Sequence, residues 1–251
     1  MIKIFLPFFI YIITLIHAQP KKNDYYRTAI ELGLFLSIEY DLLNLHSIQK
    51  KKLNKPNKID TYFRNKLKWK NDKLNKAKVY SDILLYGLVI GSIPITPIIS
   101  LNNNYQSMFL ANLEVLAING LVTDLTKYIV GRQRPSSYFG TRNEKKDAFK
   151  SFFSGHTSTA FAIGTSSAIM LSKEYPDKRN LIWGSIYTIA SFTGYYRIAA
   201  DKHYLSDVLI GALAGTTIGY LTQKSITNSY FSLNVKSSEN FSNRYYINWY
   251  F

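Results

Sequence analysis

Apolar residues concentrate in five stretches from the middle of the chain onwards, and each stretch predicts a helix. The first, from Ile83 to Leu101, has no charged residue, although Gly and Pro interrupt it. The other four cover about residues 105–130, 156–172, 181–197 and 204–223. These four are rich in Gly, Ala, Ser and Thr, which allow helices to approach one another closely. Five such helices packed side by side predict an all-α helical bundle as the core.

Different patterns flank these stretches. Residues Tyr26 to Gln49 carry a wide apolar face and predict an amphipathic helix. Residues Leu53 to Lys78 are polar and basic, and they predict a connector with one short helix and no recognisable chemistry. Near the end of the chain, Ser229–Lys236 and Asn243–Phe251 alternate apolar and polar residues, which predicts a short C-terminal β-hairpin.

The first eighteen residues have the layout of a targeting segment. One cation, Lys3, precedes the apolar run Ile4 to Ile16, and the small residue Ala18 precedes a polar stretch. A secretory signal peptide has this layout, and an uncleaved anchor also fits it. We therefore expect an exported protein of the periplasm or cell envelope. Its predicted parts are the leader (1–18), a basic amphipathic region (19–80), a catalytic helical domain (81–224) and the hairpin tail (225–251).

Charge is unevenly distributed along the chain. The formal net charge is +15, and residues 20–80 alone contain fifteen Lys and Arg against six Asp and Glu. Such a segment can attract nucleic acid, bind an anionic membrane surface or form a solvated face. Because export separates the protein from nucleic acid, we expect a membrane surface or solvent and no nucleic-acid partner. The chain has no cysteine, which excludes disulfides and thiolate metal or redox centres.

The apolar stretches leave two arrangements open, a bundle inside the membrane and a bundle beside it. The later stretches have about sixteen residues, where a membrane span needs about twenty. Glu114 places a charge inside one of them. A spanning bundle would also put the basic segment on the exported side, against the positive-inside tendency. These three observations favour a soluble or peripherally attached domain.

The first of three polar motifs lies at the end of an apolar stretch. Lys127 and Arg134 are seven residues apart, close to one helical face, and Pro135 ends the helix. Both side chains can therefore reach one anion, Arg through a planar fork and Lys as a point charge. Taken alone, a basic helix end more often complements the helix dipole.

The second motif, Ser154-Gly155-His156, opens the next apolar stretch. Ser and Gly before such a stretch mark a helix N-terminus, where unpaired backbone N–H groups can bind an anion. His156 in that first turn could donate a proton to a leaving oxygen. Simple helix capping is the alternative interpretation.

The third motif holds Arg197, His203 and Asp207. Residues 203 and 207 are four apart, so on a helix the carboxylate can accept from one imidazole nitrogen and leave the other free. An oriented nucleophile or base needs that arrangement. Asp201 and Lys202 beside them could make secondary contacts, although a solvated pair is the favoured interpretation.

Together the motifs resemble the tripartite signature of the type 2 phosphatidic acid phosphatase superfamily, which also contains bacterial non-specific acid phosphatases and vanadium haloperoxidases. The family pattern is K-x6-RP, PSGH and SR-x5-H-x3-D, and the resemblance covers roughly residues 81–223. This chain departs from it at two positions, with Phe153 in place of proline and Tyr196 in place of serine. Every side chain with a chemical role in the family is retained.

The resemblance implies a role for each retained residue. His203 would attack phosphorus and form a phosphohistidine, Asp207 would orient it, and His156 would protonate the leaving alcohol. The groups implied to hold the phosphoryl oxygens are Lys127, Arg134, Ser154, Gly155 and Arg197. These groups would replace the metal that many phosphatases need, so no cofactor is expected, and vanadate could bind as a phosphate mimic.

The expected activity is metal-independent hydrolysis of a phosphorylated lipid or a small phosphomonoester. The amphipathic and basic N-terminal part favours a lipid phosphate. Three alternatives remain: a non-specific soluble acid phosphatase, a vanadium-dependent haloperoxidase, and a non-catalytic envelope-associated binding protein. The changes at Phe153 and Tyr196 are the reason for considering the last of these.

Overall fold

The computed structural model describes residues 22–40, 42, 51, 55–99, 105–141 and 147–227, and within these ranges the regular structure is helical. The longer helices are α1 (Lys22–Glu39), α2 (Lys58–Leu67), α3 (Leu74–Ile90), α4 (Tyr105–Val130), α5 (Gly155–Glu174), α6 (Arg179–Ala199) and α7 (Leu205–Thr227). The predicted all-α bundle is confirmed. The predicted leader and C-terminal hairpin lie outside the described residues.

Helix boundaries differ from the predicted ones mainly before residue 105. Helix α1 spans Lys22–Glu39, and residues 43–49 of the helix predicted over Tyr26 to Gln49 lie outside the described residues. The stretch predicted from Ile83 begins already at Leu74 and passes through a wide turn, Gly91–Ile95, into a final helical turn. This wide turn is π-helical and contains Pro94. A proline has no backbone N–H to donate to the hydrogen bonds of an ordinary α-helix. The short basic helix predicted after Leu53 is α2.

Helix α5 is the centre of the bundle and packs against α3, α4, α6 and α7. Its approach to α7 is especially close, because Gly211, Gly215 and Gly219 lie one turn apart on α7. A Cβ added to Gly215 would be 2.1 Å from the carbonyl oxygen of Ser158, and one added to Gly219 would be 2.2 Å from that of Ala162. Only glycine fits at such a backbone contact. The contact fixes how the N-terminal ends of α5 and α7 lie relative to each other.

Helix α1 packs along α4, and an ion pair joins them. Arg27 Nη2 lies 2.7 Å from Glu114 Oε2, and Glu114 is 2% exposed. The same face of α4 carries Gly120, where an added Cβ would lie 2.4 Å from the Phe35 ring. The charge of Glu114 is therefore compensated inside the bundle, as charges within membrane helices usually are. It does not argue against a membrane span.

Three helical segments are long and apolar enough to cross a membrane: Leu74–Ile99, Met108–Val130 and Leu205–Gln223. The expectation of stretches near sixteen residues was wrong, because α5, α6 and α7 have 20, 21 and 23 residues. Large apolar side chains also point outward, with Ile83 60% and Leu213 65% exposed. The length argument for a soluble or peripheral domain therefore no longer holds. These features support association with a membrane.

Candidate active site

The helix ends that carry the three motifs meet at one end of the bundle. Ser154, the residue before α5, donates its backbone N–H to the carbonyl oxygen of Asp207 on α7 at 3.0 Å. Ser151 donates its backbone N–H to the carbonyl oxygen of Arg132, just after α4, at 3.0 Å. The third motif begins on the last turn of α6, with Arg197. Segments far apart in sequence thus form one site.

The His203 ring is buried and held by a backbone carbonyl. Its Nδ1 lies 2.7 Å from the Ser151 oxygen and donates to it, and the side chain is 2% exposed. The expected hydrogen bond from His203 to Asp207 is not formed, since Asp207 Oδ2 is 3.8 Å from His203 Nδ1. The expectation assumed a helix at both positions, whereas α7 begins at Leu205 and leaves His203 in the preceding turn.

Asp207 instead holds the segments around His203. Its Oδ2 accepts from the Ser151 hydroxyl at 2.6 Å and from the Tyr204 backbone N–H at 2.9 Å. Its Oδ1 accepts from Arg132 Nη1. Asp207 is fully buried, so these donors replace the water that a carboxylate would otherwise need. Because Tyr204 follows His203 in sequence and the Ser151 carbonyl oxygen contacts the His203 ring, the carboxylate positions the imidazole indirectly.

A second carboxylate, Asp60 of α2, completes this network, and no sequence motif indicated it. Its Oδ2 lies 2.7 Å from Arg132 Nη2, so Arg132 bridges Asp60 and Asp207. Its Oδ1 accepts from the backbone N–H of Ser206 at 2.9 Å, which caps the start of α7. Although burial opposes ionisation, the hydrogen bonds from Ser206 and Arg132 hold the pKa of Asp60 below its usual range.

Asp201 is buried, so the expected solvated pair of Asp201 and Lys202 was wrong. Arg64 of α2 donates two hydrogen bonds to Asp201, from Nε to Oδ1 at 2.6 Å and from Nη2 to Oδ2 at 2.8 Å. Asp201 has a φ of 60°, in the left-handed region, and is 0% exposed. Lys202 is 9% exposed. The connector predicted to carry no chemistry therefore supplies two charged side chains, Asp60 and Arg64, that support the turn before His203.

The positive charges of the three predicted cations all act on His203. Burial first, and then the positive charges of Arg134 and Arg197, hold the pKa of His203 well below its ordinary value, and Lys127 acts in the same direction. Lys127 Nζ lies over the start of α5, since a Cβ on Gly155 would be 3.2 Å from it. Lys127 also lies 2.9 Å from Asp124, one turn earlier on α4. Such a group of cations around a neutral imidazole suits a bound phosphoryl group.

The second motif forms the other wall of the site. Ser154 precedes α5, and its hydroxyl lies 2.8 Å from that of Thr157. His156 Nε2 lies 2.8 Å from Asp82 Oδ1, a residue of α3 that no motif predicted. Arg197 Nη1 is 3.6 Å from the same carboxylate oxygen. Arg197 therefore lies near both predicted catalytic histidines.

Residues 109–230 match the model of the PAP2 superfamily. The chain carries a PAP2 superfamily domain. All eight residues predicted for the site lie inside the matched range. Asp60, Arg64 and Asp82, which the structure adds to the site's surroundings, lie before it. Asp60 and Arg64 lie on α2, and Asp82 lies on α3.

Two curated relatives illustrate the similarity. A protein of Porphyromonas gingivalis named lipid A 1-phosphatase is 37% identical over 122 residues, which are 48% of this chain and 24% of that protein. Mouse phospholipid phosphatase 2 is 28% identical, over 46% of this chain and 51% of that protein. The match thus spans about half or less of these relatives.

Among solved structures, a transmembrane PAP2 type phosphatidylglycerolphosphate phosphatase from Bacillus subtilis is similar. The alignment covers 79% of this chain and 94% of that chain, with 19% identity and a TM-score of 0.47.

The two positions that depart from the PAP2 pattern are packed in the structure. Phe153 is 4% exposed. The Tyr196 ring lies 5.7 Å from the Trp69 ring and 5.5 Å from the Tyr80 ring, measured between centroids. This aromatic cluster joins α6 to α3 and to the segment before α3. Tyr196 therefore has a packing role, and the substitution does not by itself indicate a decayed site.

Proposed function

We propose that the protein is a membrane-associated phosphatase that hydrolyses the phosphomonoester of a lipid through a phosphohistidine intermediate. The observation that carries the proposal is the group of Lys127, Arg134 and Arg197 around His203, whose Nε2 is left free by the contact of Nδ1 with Ser151. Cations in that arrangement neutralise the oxygens of a phosphoryl group while an unprotonated nitrogen attacks phosphorus.

In the first step, the lone pair of His203 Nε2 forms a bond to phosphorus as the bond from phosphorus to the leaving oxygen breaks. His156 starts this step as the imidazolium and donates a proton to that oxygen, so His156 becomes neutral and the leaving group departs as a neutral alcohol. The three cations, Ser154 and the N–H groups at the start of α5 hold the remaining phosphoryl oxygens. Helix N-termini favour such anions.

In the second step, His156 takes a proton from water, and the water oxygen bonds to phosphorus as the bond to His203 breaks. Inorganic phosphate leaves, and both histidines return to their starting states. Fixed cations supply the charge stabilisation throughout, and we therefore propose that catalysis needs no metal ion.

The proposal of a lipid substrate is supported by the outer surface of the bundle. Three helical segments can cross a membrane by length and composition, and large apolar side chains such as Ile90 and Leu209 are 59% and 58% exposed. The relatives named above are themselves phosphatases of lipid A or phospholipids by their names. A site at the end of such a bundle would meet a phosphate group at the membrane surface.

The test uses the purified full-length protein in detergent micelles. Phosphate release is measured from phosphatidate and from p-nitrophenyl phosphate, with and without EDTA. We expect a higher kcat/KM for phosphatidate and no loss with EDTA. Turnover of the soluble ester alone would overturn the lipid assignment, and activity that EDTA abolishes would overturn metal independence.

The covalent step is tested with phosphatidate labelled in its phosphate. Quenching in alkaline detergent should trap label on the wild type and on the Asp207→Asn variant in a linkage that is stable in alkali and labile in acid. His203→Ala should trap none and lower kcat about 10³-fold or more. His46→Ala, a histidine outside the three motifs, is the matched control. Full hydrolysis by His203→Ala would end the phosphohistidine assignment.

We also propose that the catalytic end faces the exported side, on the basis of the leader-like residues 1–18. The chain has no cysteine, so one introduced cysteine can report topology without background. Asp72→Cys places a thiol at an exposed position beside α3, near the catalytic end. Labelling of intact cells by a membrane-impermeant maleimide is expected. Labelling only after the cells are lysed would reverse the orientation.

A further inference from the structure

Asp82 contacts the predicted proton donor on the accessible side of the site. Its Oδ1 lies 2.8 Å from His156 Nε2 and 3.6 Å from Arg197 Nη1. The side chains of Asp82 and His156 are 26% and 30% exposed, whereas that of His203 is 2% exposed. The site therefore has a deep wall, which holds His203, and an open wall, which holds His156 and Asp82.

The open wall is where a leaving group would lie. If His203 attacks phosphorus in line, the leaving oxygen departs on the opposite side of the phosphorus atom, next to His156. The leaving oxygen must then come within hydrogen-bond distance of the proton it receives. Asp82 Oδ1 already occupies a hydrogen-bonding position at His156 Nε2. A leaving oxygen served by that nitrogen would consequently lie beside the Asp82 carboxylate.

We infer that Asp82 lines the leaving-group subsite and selects for a leaving group without negative charge next to the scissile oxygen. The inference rests on the proposed function and refines its substrate class. A phosphomonoester of an alcohol meets this condition, because its leaving group is a neutral alcohol. A diphosphate does not, because its leaving group is itself a phosphate. The carboxylate would repel that second phosphate, and like charges placed together in a binding site are strongly unfavourable.

Neighbouring charges bear on this selection. Arg197 faces Asp82 and offsets part of its charge, but Arg197 also belongs to the group of cations around the phosphoryl position. Lys78, one turn earlier on α3, is exposed and therefore screened by solvent. A carboxylate that accepts hydrogen bonds would also suit a hydroxyl on the leaving group.

A purely supporting role for Asp82 makes a different prediction. A carboxylate that only orients His156 or retains its proton would assist the departure of either leaving group. Its removal would lower activity on the monophosphate most, because an alcohol needs the proton more than a phosphate does, and it would not raise activity on the diphosphate. A gain in kcat/KM for the diphosphate therefore separates selection from support.

The experiment compares phosphatidate with diacylglycerol pyrophosphate, which carry the same lipid and differ in the leaving group. Both are presented to the full-length protein in the same mixed micelles, and kcat/KM is measured for each. The wild type should prefer phosphatidate. Asp82→Asn keeps the size of the side chain and its ability to form hydrogen bonds, and it should raise kcat/KM for the diphosphate by about tenfold or more. Asp72→Asn, an exposed carboxylate before α3, is the matched control and should leave the ratio unchanged.

A binding measurement covers the case in which Asp82→Asn turns over too slowly. Inorganic phosphate and pyrophosphate are tested as ligands of the wild type and of Asp82→Asn, by the shift in thermal unfolding temperature. Pyrophosphate should gain affinity relative to phosphate in the variant by a similar factor. No gain in kcat/KM for the diphosphate, together with an unchanged ratio of the two affinities, would overturn the selection by Asp82. Failure of the wild type to hydrolyse either lipid would instead reject the proposed function.

Discussion

His203 Nδ1 donates to the carbonyl oxygen of Ser151 at 2.7 Å, and this single contact sets the state of the predicted nucleophile. A carbonyl oxygen can only accept, so Nδ1 carries the hydrogen and Nε2 keeps its lone pair. In many histidine-dependent enzymes a carboxylate makes this contact. Here Asp207 is 3.8 Å away and holds the surrounding backbone.

Asp207→Asn should therefore be a milder change than the loss of a carboxylate bonded directly to a catalytic histidine. Where the carboxylate itself fixes the tautomer, as in serine proteases, the same substitution lowers kcat about 10⁴-fold. Since Ser151 retains the tautomer here, we expect a loss of roughly 10²-fold or less. Phosphatidate turnover measures it. A loss as deep as that of His203→Ala would mean that Asp207, not Ser151, orients the ring.

On the acidic side, kcat/KM should begin to fall only at low pH. Protonated His203 has no lone pair for attack, so activity falls as the pH drops through its pKa, which lies well below 6.5. Full activity is therefore expected at pH 6.5 and above on this limb. Because kcat/KM reports the free enzyme, it is the quantity to follow with p-nitrophenyl phosphate.

A variant separates this limb from the ionisation of the substrate. Arg134→Gln removes one of the charges that lower the pKa of His203. The acidic limb should then move to higher pH, while the ionisation of the substrate stays the same. If the acidic limb of kcat/KM stays at the same pH in Arg134→Gln, the limb comes from ionisation of the substrate and not from His203.

The sequence allowed the bundle to be predicted because the apolar stretches are local patterns, and the three motifs are local patterns as well. The apolar stretch predicted at about 105–130 is α4, Tyr105–Val130, and the stretch predicted at 204–223 begins one residue before α7. The shared helical face predicted for Lys127 and Arg134 was wrong, because α4 ends at Val130 and Arg134 lies in an extended segment four residues later. Both charges still act on His203. The predicted convergence needed no knowledge of individual contacts.

The supporting residues could not be predicted, because their partners are distant in sequence. Arg64 and Asp201 are 137 residues apart, and His156 and Asp82 are 74 apart. Asp60, Arg64 and Asp82 sit in ordinary helical patterns that carry no motif. The misplaced hydrogen bond of Asp207 has a local cause, since the i to i+4 spacing holds only inside a helix and α7 starts after His203. Only the packed chain reveals such contacts.

Asp60→Asn should lower both stability and turnover. The carboxylate accepts from Ser206 N at 2.9 Å and from Arg132 at 2.7 Å, and an amide cannot accept all of these donors. Leaving buried donors unsatisfied costs about 1–3 kcal/mol. We expect a lower unfolding temperature in detergent and a lower kcat with little change in KM, because Arg132 also holds Asp207. Asp72→Asn, exposed and outside this network, is the control. An unchanged kcat would show that α2 stabilises the fold without positioning the site.

Gly215→Ala should destabilise the bundle although alanine favours helices. The added Cβ would lie 2.1 Å from the Ser158 carbonyl oxygen, so the backbones of α5 and α7 must separate. Forcing extra atoms into a tight contact costs about 1–3 kcal/mol. The separation also moves the start of α7 relative to the start of α5, which should reduce kcat.

Gly184→Ala on α6 is the matched control, because a Cβ there meets nothing within 4 Å and should stabilise the helix by about 0.5–1 kcal/mol. Thermal unfolding of the two variants beside the wild type gives the sign of each change. Equal effects would show that the glycines of α7 do not set the distance between the two helices.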